Sequence, residues 1–364
     1  MNQTMHVRGA VLPDGAERDL FIRDRAFTFE AVDDAATILD HGYLIPGLVD
    51  VHTHLPFNGP LPAGTSFDEA ARASAKVELD AGVLALRDPG GPTPVGFGPS
   101  AGLPRTFTAG RFLAAEGRMF PEHGQIVVTD EQVADVAEQQ WAASGEWVKV
   151  IGDFPIPGRG FDVAFRPEAL AEVARRVHEH GGRVAIHAIA ADTIEAAIDA
   201  GFDSIEHGLM LRPDQAERMA SRGTALTPTL ISTPAWLPDF LKQLKASDEE
   251  VRRTAAAVAR QAATVRGAWE AGVTVLAGTD AGVVAHGLVH REVALLSDAG
   301  IPIEHAIGAA SWRAREFLGL PAIVEGAPAD LVAFDRNPLE DPSALADPSL
   351  IVLDGSVIRW PDRR

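Results

Sequence analysis

No cysteine occurs in the 364 residues, which removes structural disulfides, thiolate metal sites, iron–sulfur clusters and a cysteine nucleophile together. Positive charge is scarce as well. Lys and Arg number 32 against 51 Asp and Glu, and the formal charge of −19 repels phosphate backbones and anionic lipid heads. Neither nucleic acid nor a membrane surface is therefore expected as a partner. No run reaches the roughly 18 apolar residues of a membrane span. The opening MNQTMHVRGAVLPDGAERDL scatters its charges, where a secretion signal would place basic residues before a continuous apolar stretch. A cytoplasmic protein is expected. What is abundant is apolar residue, 46 % against 23 % charged, enough for a sizeable core and incompatible with a disordered or collagen-like chain.

The first 45 or so residues alternate short β-like pieces with turns (MHVRGAVL, DLFIRD, FTFEAV, TILDHGYLI), as an antiparallel sheet would. The same texture returns in ADLVAFD and LIVLDGSVIRW near the other end, separated by a Pro-rich loop. Two β-rich ends suggest that residues 1–46 and 325–364 pair into one small β-sandwich domain. Between them, residues 47–324 alternate apolar runs with amphipathic helical patterns. Eight runs are found: GLVDVHTH, GVLALRDPG, RTFTAG, EWVKVIGD, GRVAIHA, DSIEHG, TALTPT and VTVLAGTDAG. Continuous apolar strands between helices predict a parallel sheet covered on its faces, and this number fits an α/β fold of the (β/α)8 TIM-barrel type. Helices are predicted over 166–180, with apolar spacing i, i+3, i+4, i+7, and over 247–272, where Ser247 and Glu250 form a capping box. The apolar stretch LISTPAWLPDFLKQLK between them reads as an irregular loop.

The chemistry concentrates at strand ends, where a barrel keeps its active site. His52 and His54 close the first run, and on a regular strand residues two apart share a face. A His-x-His pair alone is weak evidence. The other runs change its weight: Lys149 interrupts the fourth, and His187, His207 and Asp280 end the fifth, sixth and eighth. Burying each polar group alone would be expensive, and one convergent centre of two divalent cations removes all of those costs. Imidazole and oxygen ligands suit zinc first, with manganese, iron or cobalt as alternatives. Lys149, flanked by Val148 and Val150, would be desolvated and neutral, hence able to add carbon dioxide and become a bridging carbamate. One cation would sit on His52, His54 and Asp280 and the other on His187 and His207. A plain ion pair of Lys149 with an acid such as Asp153 is the competing reading.

Taken together, PGLVDVHTH, the strand Lys149, HAIA, IEHG, GTDAG and the closing GAPADLVAFDRNP resemble the amidohydrolase superfamily over essentially the whole chain. The resemblance implies a binuclear metal-dependent hydrolase with a carboxylated lysine. GLPRTFTAGRFL, the EHG that contains His123, and HGLVHREVALLSDAG are most similar to its imidazolonepropionase-related branch, which includes prolidase-like dipeptidases. That branch tends to carry a glycine pair where this chain has Pro121-Glu122, and a tyrosine where it has Ile189. The implied reaction is cleavage of an amide or lactam C–N bond in a small substrate such as an N-acyl amino acid, a dipeptide-like compound or a cyclic amide. A metal-bridging hydroxide would attack, Asp280 would shuttle the proton, and His123 would bond the carbonyl oxygen. An esterase or lactonase on the same centre, a mononuclear deaminase, and a barrel kept as a scaffold are the alternatives.

Several assignments stay open. Asp50 either orients a ligand imidazole or pairs with Arg87, while Glu206 should face away from the site. Arg111, Arg118 or Arg159 could grip a substrate carboxylate, and Trp236, Leu237 and Phe240 could wall the pocket or pack against the rim. His178, His180, His286, His290 and His305 are expected in solvated positions. A homo-oligomer is left open.

Overall fold

The computed structural model describes residues 4–59, 61–62, 64–120, 123–156 and 160–360. Its first five strands are β1 Met5–Val11, β2 Ala16–Arg23, β3 Ala26–Thr28, β4 Ala36–Leu39 and β5 Tyr43–Ile45. The core carries β6 Leu48–Asp50, β7 Val83–Asp88, β8 Arg105–Thr108, β9 Leu113–Ala114, β10 Ile126–Val127, β11 Trp147–Ile151, β12 Arg183–Ala188, β13 Ser204–His207 and β14 Ala225–Thr227. Last come β15 Leu331–Phe334, β16 Leu350–Leu353 and β17 Ser356–Arg359.

The two ends of the chain do pair: β5 runs antiparallel to β15, with Leu44 opposite Ala333. The strands join one eight-stranded sheet in the order β17-β16-β15-β5-β1-β2-β3, with β4 alongside β1, rather than the two layers of a sandwich. The sheet is mixed, because β4 and β5 both lie parallel to β1. Its strands β15 and β16 are buried on both faces. Leu331, Ala333, Leu350 and Val352 belong to one apolar cluster, while Val332, Phe334, Ile351 and Leu353 belong to another that includes Ala71 and Leu79 of the helix Phe67–Asp80. Hence LVAF and LIVL read as unbroken apolar runs.

The core strands are parallel and alternate with helices. They form a six-stranded sheet, β10-β9-β11-β12-β13-β14, and a three-stranded sheet, β6-β7-β8. The eighth run is tied in by single bridges, Leu226 with Val275 and Thr53 with Ala281, and by Val51 N–H to Ala277 O at 3.0 Å. This is an α/β, barrel-like arrangement of parallel strands beside a separate terminal sheet. Val49, Val51, Ala85, Trp147, Ala185, Ala225 and Leu276 cluster at its centre. Two helices match their sequence signals: Pro167–Glu179 buries Leu170, Val173, Ala174 and Val177, and Asp248–Glu270 starts at the Ser247–Glu250 capping box. The supposed loop after the seventh run is a helix, Thr233–Gln243. Pro234 sits in its first turn, where a missing N–H costs nothing, and burial of Leu237 and Leu241 holds it despite Pro238. Among the described residues no helix is long and apolar enough to cross a membrane.

Candidate metal centre

The side chains of the site are placed by interruptions of strand geometry. Asp50 Oδ1 accepts the N–H of His52 at 3.0 Å and of Thr279 at 3.1 Å, and Oδ2 accepts the Thr279 hydroxyl at 2.5 Å. Asp88 likewise accepts from Gly90 N–H at 2.8 Å, and Thr279 Oγ1 from Ala281 N–H at 3.1 Å. Short polar side chains thus bend the backbone two residues ahead of themselves. His52 and His54 accordingly lie just beyond β6 rather than on it. Asp50 meets neither expectation: it bonds backbone and Thr279, not an imidazole and not Arg87.

Three non-glycine residues adopt the left-handed region at this end of the sheet: His207 (φ 69°), Thr229 (φ 48°) and Asp280 (φ 55°). Such backbone is uncommon and concentrates at functional sites. It also corrects the placement of Glu206. On a regular strand neighbours diverge, but the turn at His207 lets its ring and the Glu206 carboxylate serve one centre. Glu206 is fully buried, with Oε1 2.8 Å from Arg87 Nη2 and 3.3 Å from His52 Nδ1. Its Oε2 is ion-paired with Lys149 Nζ. The acid beside Lys149 is therefore Glu206 and not Asp153, which accepts the N–H groups of Ile189 and Ala190. Arg87, which sequence reasoning did not place here, also bonds Val51 O at 2.7 Å and stacks 4.5 Å over Trp147. The Gly208 after His207, itself at φ 56°, was the local signal that alternation fails.

Asp280 Oδ1 lies 3.2 Å from His52 Nε2 and 3.4 Å from His54 Nε2, and Oδ2 accepts the Ser232 hydroxyl at 3.1 Å. One donor atom from each of His52, His54 and Asp280 falls within 4.8 Å of the others, a single such cluster among the described residues. His54 Nδ1 donates to Gly90 O at 2.8 Å, which leaves its Nε2 lone pair free. Behind this triad the His52 and His207 rings are 5.3 Å apart and those of His207 and His187 4.5 Å. His207 Nδ1 is 2.8 Å from Thr229 Oγ1. His187 Nε2 is buried without a hydrogen bond, 3.6 Å from Asp153 Oδ1.

Burial drives the protonation states. It lowers His52 to about 4, His187 to about 3 and His207 well below the usual imidazole range, so all three are neutral at pH 7 with lone pairs to give. Burial would raise Asp280, but hydrogen bonds with His52 and His54 outweigh it and hold the carboxyl well below its usual range. Burial, then the Arg87 charge, pushes Lys149 far below an ordinary ammonium, against the pull of the Asp280 carboxylate.

These residues line a cavity of about 80 Å³ together with Phe57, Phe112, Phe120, His123, Phe154 and Trp236. His123 stacks on Phe57 with centroids 4.5 Å apart. Of the other candidates, Trp236 lines the cavity, Phe240 packs behind it at 5.4 Å, and Leu237 is buried in a separate apolar cluster. Arg111 donates to Gly124 O and Gln125 O, and Arg118 to Phe154 O and Asp162 O, so both act as loop braces; Arg159 lies outside the described residues, as do Pro121 and Glu122. His178 and His180 are exposed and paired with Asp203 and Glu138. His286 is not solvated: it is buried, 3.1 Å from Glu78 and 2.9 Å from Phe57 O, because the chain after Asp280 folds back over the helix Phe67–Asp80. His290 and His305 are partly buried.

A parallel sheet with imidazoles and a carboxylate gathered at one end defines a candidate metal-binding site. The amidohydrolase family's sequence model matches residues 43–358, and the chain belongs to that family. A Mycobacterium tuberculosis protein described only as uncharacterized is 37 % identical over 358 residues, 96 % of this chain and 95 % of that one. Ochratoxinase from Aspergillus niger is 26 % identical over 258 residues, 67 % of this chain and 53 % of that protein. Its crystal structure superposes with a TM-score of 0.81 at 20 % identity, covering 100 % of this chain and 96 % of that one. A Xaa-Pro dipeptidase structure with bound methionine gives 0.81 at 24 % identity, covering 98 % and 100 %.

Proposed function

We propose that the cavity is the active centre of a metal-dependent hydrolase cleaving the amide or lactam C–N bond of a small substrate. The observation that carries this is the convergence of four imidazoles and Asp280 on one cavity, with His187 Nε2 left without a hydrogen bond. Neutral nitrogens beside an ionised carboxylate are the donor set a divalent cation requires. Family membership, an ochratoxinase relative and a Xaa-Pro dipeptidase neighbour support the same reading. We read the core as a (β/α)8 barrel over 47–324 and the remainder as a small β domain.

His52, His54 and Asp280 would hold one cation and His187 and His207 a second, zinc by preference, with Lys149 between them as the carbamate it forms with carbon dioxide. Bound there, the ions supply Lewis acidity toward a carbonyl and toward water. The chain's own groups do the rest. Asp280 takes up a proton at its carboxylate and returns it to the leaving nitrogen, without which an amine departs poorly. Ser232 fixes the other carboxylate oxygen, and His123 at the cavity rim donates a hydrogen bond to the substrate carbonyl. The Lys149–Glu206 ion pair favours a second reading, a single-ion centre with an unmodified lysine, as in a deaminase. One metal equivalent per chain selects that reading and two select the first.

The test is turnover of N-acyl amino acids, dipeptides, lactams and their matching esters by zinc- or manganese-loaded protein. Amide hydrolysis abolished by a chelator is expected. Hydrolysis of esters alone, or of nothing in the panel, would overturn the proposal.

A further inference from the structure

The substrate class can be taken further, on the reading that this cavity is the hydrolytic site. Above the imidazoles its wall is aromatic: Phe57, Phe112, Phe120, Phe154 and Trp236 line it. The wall is interlocked. Phe120 meets Phe154 edge-on at 5.2 Å and 86°, and Phe240 backs both, 5.0 Å from Phe120 and 5.6 Å from Phe154.

Charge is missing from this wall among the described residues. Lys149 is the one Lys or Arg among the described lining residues, and it lies buried against Glu206. Arg111 and Arg118, the nearby guanidiniums, are committed to backbone carbonyls, and Arg118 also to Asp162. Apart from the metal sites themselves, no described side chain of this wall offers a cation to a substrate carboxylate, so burying one against it is expensive. A ring would instead find edge-to-face partners already arranged. The cavity's 80 Å³ is about half of the ~150 Å³ that accepts benzene in a dry protein cavity. A ring therefore needs the partly exposed members of the wall, Phe57, Phe120 and Trp236, to shift outward around it while staying in contact.

We propose that the substrate carries an aromatic or bulky apolar, uncharged group next to the scissile C–N bond, and that the Phe120–Phe154–Trp236 wall selects it over small or charged groups. The test uses metal-loaded protein with three probes, N-acetyl-phenylalaninamide, N-acetyl-alaninamide and N-acetyl-aspartate, measuring binding by calorimetry and turnover by product release. Burying a phenyl ring predicts about tenfold or more tighter binding of the phenylalanine probe than of the alanine one. Phe120→Ala and Trp236→Ala, at partly exposed positions that keep the fold intact by thermal melting, should each shrink that ratio about threefold or more. Equal or tighter binding of the alanine or aspartate probe, no binding of any, or a ratio unmoved by both variants would overturn the proposal. Aromatic preference in binding without hydrolysis supports the wall and counts against the hydrolase reading. Hydrolysis without aromatic preference does the reverse.

Discussion

The terminal sheet and the mouth of the core sheet are built on opposite rules. In the terminal sheet β15 keeps its period throughout: Leu331 and Ala333 enter one apolar cluster, Val332 and Phe334 the other. At the mouth the period is repeatedly broken. Asp50, Asp88 and Thr279 bend the chain with their own side chains, and His207, Thr229 and Asp280 stand in left-handed backbone. Regular pairing gives a frame that buries apolar area, whereas gathering His52, His54, His207 and Asp280 around one cavity uses backbone that leaves the ladder. The cost of those breaks is met by buried hydrogen bonds, such as those from Leu230 and Ile231 N–H to Glu292, which hold the Thr229–Ser232 turn in place.

The contrast can be broken by mutation. Phe334→Ala removes a fully buried ring from the sheet between the two clusters and should cost about 3–5 kcal/mol in urea unfolding, while folded protein retains its turnover. Lost turnover in folded protein would mean that the two regions are not separable. Glu206→Ala should cost a similar amount, about 3–5 kcal/mol, for a different reason: it strands Arg87 as a buried cation and takes away the acid beside Lys149. Unlike the first variant it should also alter metal retention, and an unchanged midpoint with normal metal content would refute the role given to Glu206.

Asp280→Asn sharpens the comparison from the other side. It should lower kcat by two or more orders of magnitude, about 2.7 kcal/mol, in protein that stays folded. Near-normal turnover would remove Asp280 from the proton transfer.

The most gradual effect concerns pH. His187 is lowered to about 3 in the fold, so the unfolded chain takes the proton first. Its contribution to stability is present above the unfolded value near 6.5 and is lost as pH falls toward 3, by up to about 1.4 kcal/mol per unit. In chelator, wild type should therefore lose stability on acidification more steeply than His187→Asn. Parallel curves would show that this ring is not buried and neutral.

The same contrast explains what the sequence revealed. Periodic segments were legible: the β-rich ends, seven of the eight core runs that became named strands, and the two helices at 167–179 and 248–270. The helix at 233–243 was hidden because Pro234 and Pro238 look like breakers, although tertiary burial of Leu237 and Leu241 overrides them. At the site, residue types at strand ends pointed to His52, His54, Lys149, His187, His207 and Asp280, and the structure brings them to one cavity. The buried Arg87 and Glu206 beneath them were not legible. Strand alternation assigned Glu206 to the wrong side, and only the left-handed turn at His207 reverses that. Asp50 was misread for another reason: an acid that caps its own backbone has the same sequence signature as one that orients a ligand.

The central claim is that the four imidazoles and Asp280 hold divalent metal, and its most direct measurement is metal content by mass spectrometry after loading with zinc and bicarbonate and removal of free ion. The account predicts two equivalents per chain in wild type and near-complete loss when His52, His54, His187 and His207 are all replaced by alanine. Wild-type protein that retains no metal, or a quadruple variant that retains as much as wild type, would contradict it.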